Sequence, residues 1–256
     1  MHADKRYIPE IVNHLGTGVD LPQKIAIVGG GPAGLSAAFY CRKMGYPVTV
    51  FEKECRPGGM LLNGIPSFRL EKNIIDAEIE VLRQMGVTFK CGVEVGKDVT
   101  IQQLREEGFK AFYVAIGAQG GRKAGVPGED ADGVKTGVEF LRSVNLDEST
   151  KLSGRTVVVG GGNVAVDVAR AALRAGSGEV SMFCLESRDI MPAAKDEVAE
   201  AEEEGISVNN SWGPKEILTE NGKVKAIVFK KCLSVKDADG LSLIHISEPT
   251  RPRLIS

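Results

Sequence analysis

Residues 24–40 read KIAIVGGGPAGLSAAFY. The first five are a short β-branched run, the composition of a buried parallel strand. A glycine cluster and an alanine-rich stretch follow, reading as a turn and a helix over about 32–44. Gly29, Gly31 and Gly34 fall in G-x-G-x-x-G spacing. Gly29 permits a tight turn out of the strand. Gly31 has no side chain, so a pyrophosphate can approach the backbone. Gly34 lets helix and strand pack closely. The free amides and the positive end of the helix dipole then attract phosphate. The next strand, PVTVFE (47–52), ends in Glu52, close to the expected distance of roughly 20 residues, where a carboxylate accepts hydrogen bonds from a ribose. A lone G-x-G-x-x-G is a weak signal and can be a mere tight connection. Strand, turn, helix, second strand and terminal acid in order make a dinucleotide cradle.

The chain does this twice. TVVVGGGNVAVDVAR (156–170) repeats the pattern with Gly160, Gly162 and, in the third place, Ala165, which the motif allows. Its next strand, EVSMFCLE (179–186), places Glu186 where Glu52 stands in the first unit. The plain alternative is a duplicated sheet unit that binds nothing. Two dinucleotides held on one chain are what hydride exchange between a flavin and a nicotinamide requires.

Around these turns the pattern alternates strand and helix. EKNIIDAEIEVLRQMG carries Ile75, Ile79 and Leu82 on one helical face, with Gly86 as a stop signal. VTFKC and KAFYVAIG read as strands, with the helix TIQQLREEG between them. A Gly- and charge-rich link covers 118–134 and a helix, GVEFLRSV, comes next. After the second cradle come a helix containing AAKDEVAEAEEEG, the strand ISVNN, and a hairpin turning at Asn221-Gly222. The acidic run Glu200–Glu204 reads as a solvated helix face. The fold class expected is α/β, two consecutive Rossmann-like, doubly wound units with parallel sheets. The expected divisions are a polar, irregular lead-in at 1–23, a first dinucleotide domain at 24–125, a second at 126–240, and a tail at 241–256.

The bulk numbers set limits. A hydrophobic content of 43% in 256 residues supports a real core. A net charge of -2 gives no reason to expect nucleic acid or an anionic membrane as a partner. No apolar run approaches the roughly 20 residues of a membrane span. The opening residues, MHADKRYIPEIVNH, lack the charged-then-apolar order of a signal peptide. Cys41, Cys55, Cys91, Cys184 and Cys232 are widely spread, arguing against a disulfide framework or a cysteine-based metal site. Most are expected to be buried, reduced thiols, as in a cytoplasmic protein. His2, His14 and His245 are scattered, and no catalytic side chain is assigned.

Beyond the glycines, FEKECRPGGMLLNGIPSFRLEK (51–72), YVAIGA (113–118), GGGNVAVDVAR and MPA (191–193) carry a resemblance. Residues 24–240 resemble the small (beta) subunit of glutamate synthase and the matching FAD- and NADPH-binding region of dihydropyrimidine dehydrogenase. That family's loop usually runs GG-x-L-x-x-G-I-P-x-F-R-L-P-K, and Glu71 stands here where proline is usual. The resemblance implies a glutathione-reductase-like flavoprotein. FAD would take the first turn, with Gly29, Gly31, Ala33 and Gly34 at the pyrophosphate and Glu52 at the ribose. Gly58, Gly59 and Met60 would lie beside the flavin, Arg69 would be a cation near it, and Val95 would present backbone to the adenine. Ala115 and Gly117 would mark the strand end where the chain leaves the flavin domain. Without the resemblance, Gly58–Gly59 reads as an ordinary loop and Arg69 as an ordinary surface cation.

The second turn would bind the nicotinamide cofactor, with Gly160, Gly162, Asn163, Val164 and Ala165 at the helix start. Members using NADPH carry paired basic residues at the positions of Leu185 and Glu186. A carboxylate at 186 repels a 2′-phosphate and suits a free 2′-hydroxyl, so NADH is expected over NADPH, with Arg188 near enough to oppose this. Related disulfide reductases use a CxxxxC pair, and Cys55 has no such partner. The resembled family instead sends electrons through 4Fe-4S clusters, whose cysteines lie before the flavin motif and are not in this chain. An iron–sulfur or amidotransferase-type large subunit is the expected partner.

KRYIPE (5–10) resembles the connector that follows a cluster-bearing domain, and LSLIHISEPTR (241–251) resembles the translation of a transposon adapter used in sequencing libraries. The chain therefore reads as a fragment with a non-native end, its C-terminal part missing. Three functions follow from the sequence: an electron-input flavoprotein module feeding an iron–sulfur relay, a stand-alone FAD-dependent reductase of a small substrate, or a non-catalytic dinucleotide-binding regulator.

Overall fold

A computed structural model describes residues 5–16, 18–147, 149–235 and 245–246; the rest of the expected non-native tail lies outside the described residues. The chain divides into two compact units, 1–119 and 120–256.

The first unit begins with a short 3-10 turn and helix α1 (Ile8–Leu15). Then come β1 (Lys24–Val28), α2 (Pro32–Lys43), β2 (Val48–Glu52), α3 (Met60–Asn63) and α4 (Lys72–Gln84). β3 (Thr88–Cys91), α5 (Ile101–Glu106) and β4 (Phe109–Val114) complete it. The four strands form one sheet in the order β3-β2-β1-β4, every pair parallel. Alternation along the strands separates two buried faces. Ile27, Val48 and Val50 pack with Ala38 of α2 and Val81 and Leu82 of α4. Ala26 and Phe51 turn the other way, onto Leu104 of α5 and Phe109. The Phe51 and Phe109 rings meet edge to face at 5.7 Å. Ile75, Ile79 and Leu82 are buried on α4 as their spacing predicts, and Gly86 follows the helix with φ +93°. A capping box of Thr100 and Gln103 starts α5.

The sequence reading leaves the lead-in without structure, whereas residues 8–15 form α1. Ile8 is 1% exposed and joins the core under α2 and α4. The reason is amphipathic: Ile8, Ile11, Val12 and Leu15 share a stripe that packs on that core, and the polar residues between them hide it in the sequence.

The second unit contains α6 (Gly137–Leu146), β5 (Arg155–Val159), α7 (Asn163–Arg174), β6 (Glu179–Phe183), α8 (Lys195–Glu203) and β7 (Ser207–Asn209). The strands form a parallel sheet, β5-β6-β7. β8 (Trp212–Glu220) and β9 (Lys223–Ser234) make an antiparallel hairpin, with β10 (His245–Ile246) beside β9. Its turn residues Asn221 and Gly222 both have positive φ, 53° and 78°, as the NG pair demands. One sheet face packs Val158, Val180 and Met182 against α6, α7 and α8. On the other face, Phe183 stacks on Phe229 of the hairpin at 4.0 Å and 14°, with Trp212, Ile217 and Ile227 around them. Strands, not helices, therefore cover that second face.

The acidic run at 200–204 is more than a solvated face. Arg170 on α7 is 8% exposed and bonds Glu200 and Glu204, each at 2.6 Å. Arg174 joins Glu204 at 2.6 Å. Together they clamp α7 to α8. Of the cysteines, Cys184 and Cys232 are buried, Cys41 and Cys91 are half-buried, and Cys55 is exposed, so burial is less general than expected.

Candidate dinucleotide-binding sites

Both glycine turns begin with the same backbone link. Gly29 N–H donates to Phe51 C=O at 2.8 Å, and Gly160 N–H donates to Phe183 C=O at 2.9 Å. Each link ties the turn after one strand to the neighbouring strand's end. Gly29 has φ +105°, and a Cβ there would strike the Ala115 carbonyl. A Cβ on Gly34 would strike the carbonyl of Gly29. Ala115 itself donates to Val28 C=O at 2.8 Å, which brings the end of β4 against the turn. Ala33 is exposed in the first turn of α2, and Gly117 is exposed at φ +69°.

Glu52 is 5% exposed, and both of its oxygens accept backbone hydrogen bonds. Oε2 takes Gly30 N–H at 2.7 Å and Oε1 takes Glu54 N–H at 2.9 Å. The carboxylate thus braces the turn, and a carboxylate's remaining lone pairs stay open to hydroxyl donors.

The glycine loop comes to the same place. Gly58 N–H donates to Gly30 C=O at 2.7 Å, and a Cβ on Gly59 would stand 2.8 Å from Gly31 Cα. Gly58 and Gly59 have φ +137° and +52°, so two glycines are needed for this approach. A Cβ on Gly31 would find only Gly59 Cα, at 3.8 Å. The two backbones are thus in direct contact, and the loop closes one side of the turn. Met60 opens α3, and its carbonyl accepts from Gly64 and Ile65 at 2.9 and 3.0 Å. Lys72 fastens the loop from below: Nζ donates to the carbonyls of Leu61, at 2.9 Å, and Ile65. Burial pushes its ammonium pKa down. Arg69 is exposed, with its N–H on Pro66 C=O at 3.0 Å. Val95 is half-buried beside Val93, whose N–H reaches Glu52 C=O at 3.0 Å, so that segment runs along the Glu52 strand end.

The second turn repeats the logic. Gly160 has φ +148°, a Cβ on Gly162 would meet nothing, and Ala165 N–H donates to Gly162 C=O at 2.9 Å. Glu186 does not take Glu52's register position. Gly29 bonds Phe51 and Gly160 bonds Phe183, so Cys184 is the residue that follows the second link as Glu52 follows the first. Glu186 reaches the turn from two residues further on. Its Oε2 lies 2.7 Å from a Cβ built on Gly161, where Glu52 Oε2 lies 3.1 Å from one on Gly30. Asn163 and Val164 are exposed at the start of α7. The Asn163 side chain already has a role, since its Oδ1 accepts Ala194 N–H at 2.9 Å. Ala193 N–H donates to Gly161 C=O at 3.0 Å, so the MPA segment docks on the turn.

Sequence reading missed the residues that hold the Glu186 loop. Asn210 Nδ2 donates to Cys184 Sγ at 3.1 Å and to Glu186 C=O at 3.3 Å. Ser211 N–H reaches the same carbonyl at 3.0 Å, from a left-handed backbone at φ +64°. A non-glycine residue held there marks a position that its surroundings over-determine. Arg188 is paired with Glu202, Nη2 to Oε2 at 2.6 Å. No signal in the linear sequence links these residues; Lys72 alone belonged to a recognisable motif.

Two α/β units, each closing a glycine turn on an acid, define a dinucleotide-binding protein. The sequence profile of the pyridine nucleotide-disulphide oxidoreductases matches residues 23–244, and the chain belongs to that family. It is 44% identical over 223 residues to the beta subunit of the NADP(+)-dependent formate dehydrogenase of Moorella thermoacetica, covering 86% of this chain and 31% of that protein. It is 40% identical over 202 residues to subunit PreT of the NAD-dependent dihydropyrimidine dehydrogenase of Escherichia coli O157:H7, covering 78% and 48%. The chain thus spans a third to a half of these relatives' lengths. FprA of Mycobacterium tuberculosis shares the fold, with a TM-score of 0.74 at 21% identity over 91% of this chain and 69% of that one. The family is one of FAD- and NAD(P)H-binding oxidoreductases, and these two relatives are named as subunits of larger enzymes. Among the described residues no helix is long and apolar enough to cross a membrane.

Proposed function

We propose that the unit at 24–125 holds FAD, that the unit at 126–240 holds the nicotinamide cofactor with NADH preferred, and that the parent protein feeds electrons through iron–sulfur clusters to a partner subunit or domain. One observation carries this reading: in a chain of an oxidoreductase family, each glycine turn closes on a carboxylate, Glu52 and Glu186. When bound, the nicotinamide supplies a hydride and the flavin accepts it. The residues fit those groups. The exposed helix start at Ala33 and the open space at Gly162 leave room for a pyrophosphate beside backbone amides.

The work of this chain's own residues is positional. Glu52 braces the first turn through Gly30 and offers its remaining lone pairs to ribose hydroxyls. Gly58 and Gly59 bring the loop to the turn, and Lys72 fixes that loop's carbonyls. Asn163 holds residue 194 beside the second turn, leaving its backbone for the ligand. Glu186 favours a free 2′-hydroxyl over a 2′-phosphate. The names of the two relatives as subunits support a partner for the parent protein. The scattered cysteines support a reducing, cytoplasmic setting.

The test is anaerobic. The chain is saturated with FAD, freed of excess and mixed with NADH or NADPH. Bleaching of bound flavin, faster with NADH, is the expected result. Protein that retains FAD but bleaches with neither nucleotide overturns the electron-input reading.

A further inference from the structure

Arg188 follows Glu186 by two residues, on the loop that leaves β6. In a dinucleotide fold, an arginine at this place is the side chain that accommodates a 2′-phosphate. The loop that carries it borders the second turn. Two residues before it, Glu186 places Oε2 2.7 Å from a Cβ built on Gly161, and Cys184 Cβ stands 3.0 Å from the same point. Yet the guanidinium is committed elsewhere. Nη1 donates to Glu202 Oε1 at 2.7 Å and Nη2 to Glu202 Oε2 at 2.6 Å, a two-point fork onto α8. Planar forks of this kind fix direction as well as distance. The other carboxylates of the run divide differently: Glu200 and Glu204 serve Arg170 and Arg174, and Glu203 is an exposed neighbour. Glu202 is therefore the carboxylate through which α8 grips the Glu186 loop. The two side chains are 49% and 41% exposed, so the fork can open without uncovering the core.

We propose that Glu202 is a coenzyme-specificity residue, which by clamping the Arg188 guanidinium withholds from a 2′-phosphate the cation it needs. The discrimination begun by Glu186 is thereby reinforced from a second helix. The proposal rests on reading the second turn as the nicotinamide-cofactor site.

Calorimetric titration of the full chain with NADH and with NADPH tests it through binding alone. The variants are Glu202→Gln, Arg188→Ala, the double variant, and Glu203→Gln as a control that removes the same charge without touching the fork. In Glu202→Gln, NADPH affinity rises about five- to tenfold, the scale of one new charge-assisted hydrogen bond, while NADH affinity changes less than about twofold. Arg188→Ala alone leaves NADPH binding at the wild-type level, the double variant loses the rise, and Glu203→Gln produces none. A rise that persists in the double variant, or that Glu203→Gln reproduces, shows simple charge removal and overturns the clamp. So does wild-type NADPH binding that already depends on Arg188. If the wild type binds NADH and Glu202→Gln leaves the NADPH-to-NADH ratio unmoved, the clamp fails and the site stands. If the wild type binds neither nucleotide, the site reading fails and the clamp with it.

Discussion

At the scale of single residues, the two turns look alike in sequence and differ in tolerance. The third glycine of the first turn, Gly34, lies against the carbonyl of Gly29, and a Cβ has nowhere to go. The same place in the second turn is Ala165, which coexists with Gly160 without such a clash. The motif permits glycine or alanine at that position, but only the structure shows which turn can accept the methyl. Gly34→Ala should destabilise the fold by about 3 kcal/mol, an overpacking cost against rigid backbone. Ala165→Gly should cost only about 1 kcal/mol, from helix propensity and chain entropy. Urea unfolding of both variants checks this, and equal losses would contradict it. The glycine turns and the acid that braces the first were legible because their job is local and the motif is short, whereas Glu186 lies two residues beyond the place that register assigns to Glu52's counterpart, Cys184. Asn210 and Ser211 were not, because they act on a loop reached only through the fold.

At the scale of elements, two fastenings decide how loops and helices sit. Lys72 at the start of α4 holds carbonyls on both sides of Leu62 and Asn63. Lys72→Met keeps most of the stem and removes the donors, leaving these carbonyls unmet at a cost of about 1–3 kcal/mol. Amide exchange across residues 61–65 should accelerate in that variant more than exchange in β1 or β2; uniform acceleration would mean that Lys72 holds the whole unit instead. The second fastening is the α7–α8 clamp. Hydrogen bonding from Arg174, with Arg170 adding to it, lowers the Glu204 carboxyl from the usual 4.5 to about 2. Because the folded pKa is the lower one, the clamp's contribution is complete above pH 4.5 and is lost as pH falls from there toward 2. At roughly 1.4 kcal/mol per pH unit between the two values, discounted for partial exposure, the loss is on the order of 2 kcal/mol. Glu204→Gln should flatten the stability profile across that window, while an unchanged slope would place the acid sensitivity elsewhere. The sequence showed an acidic run on a helix; the arginines that meet it come from a helix about thirty positions earlier, a separation that periodicity does not report.

At the scale of the whole molecule, alternation of strand and helix made both parallel sheets readable, and the NG pair made the hairpin readable. What covers each sheet was less so. The β8–β9 hairpin roofs the second sheet through the Phe183–Phe229 stack, a tertiary match between two aromatic residues that each look like generic core. Phe229→Ala should cost about 3–5 kcal/mol and loosen the second unit in thermal unfolding. A shift below about 1 kcal/mol would show that the hairpin is not a structural layer. Helix α1 escaped notice for a related reason: its stripe is short, and Ile8 shows its importance only once it is seated under α4.

In the function proposed above, one chain carries separate cradles for a flavin dinucleotide and a nicotinamide dinucleotide. Calorimetric titration of the FAD-saturated chain with NADH tests it most directly. A single further nucleotide should bind per chain while the flavin stays bound. NADH that displaces FAD, or that fails to bind the FAD-loaded chain, would contradict it.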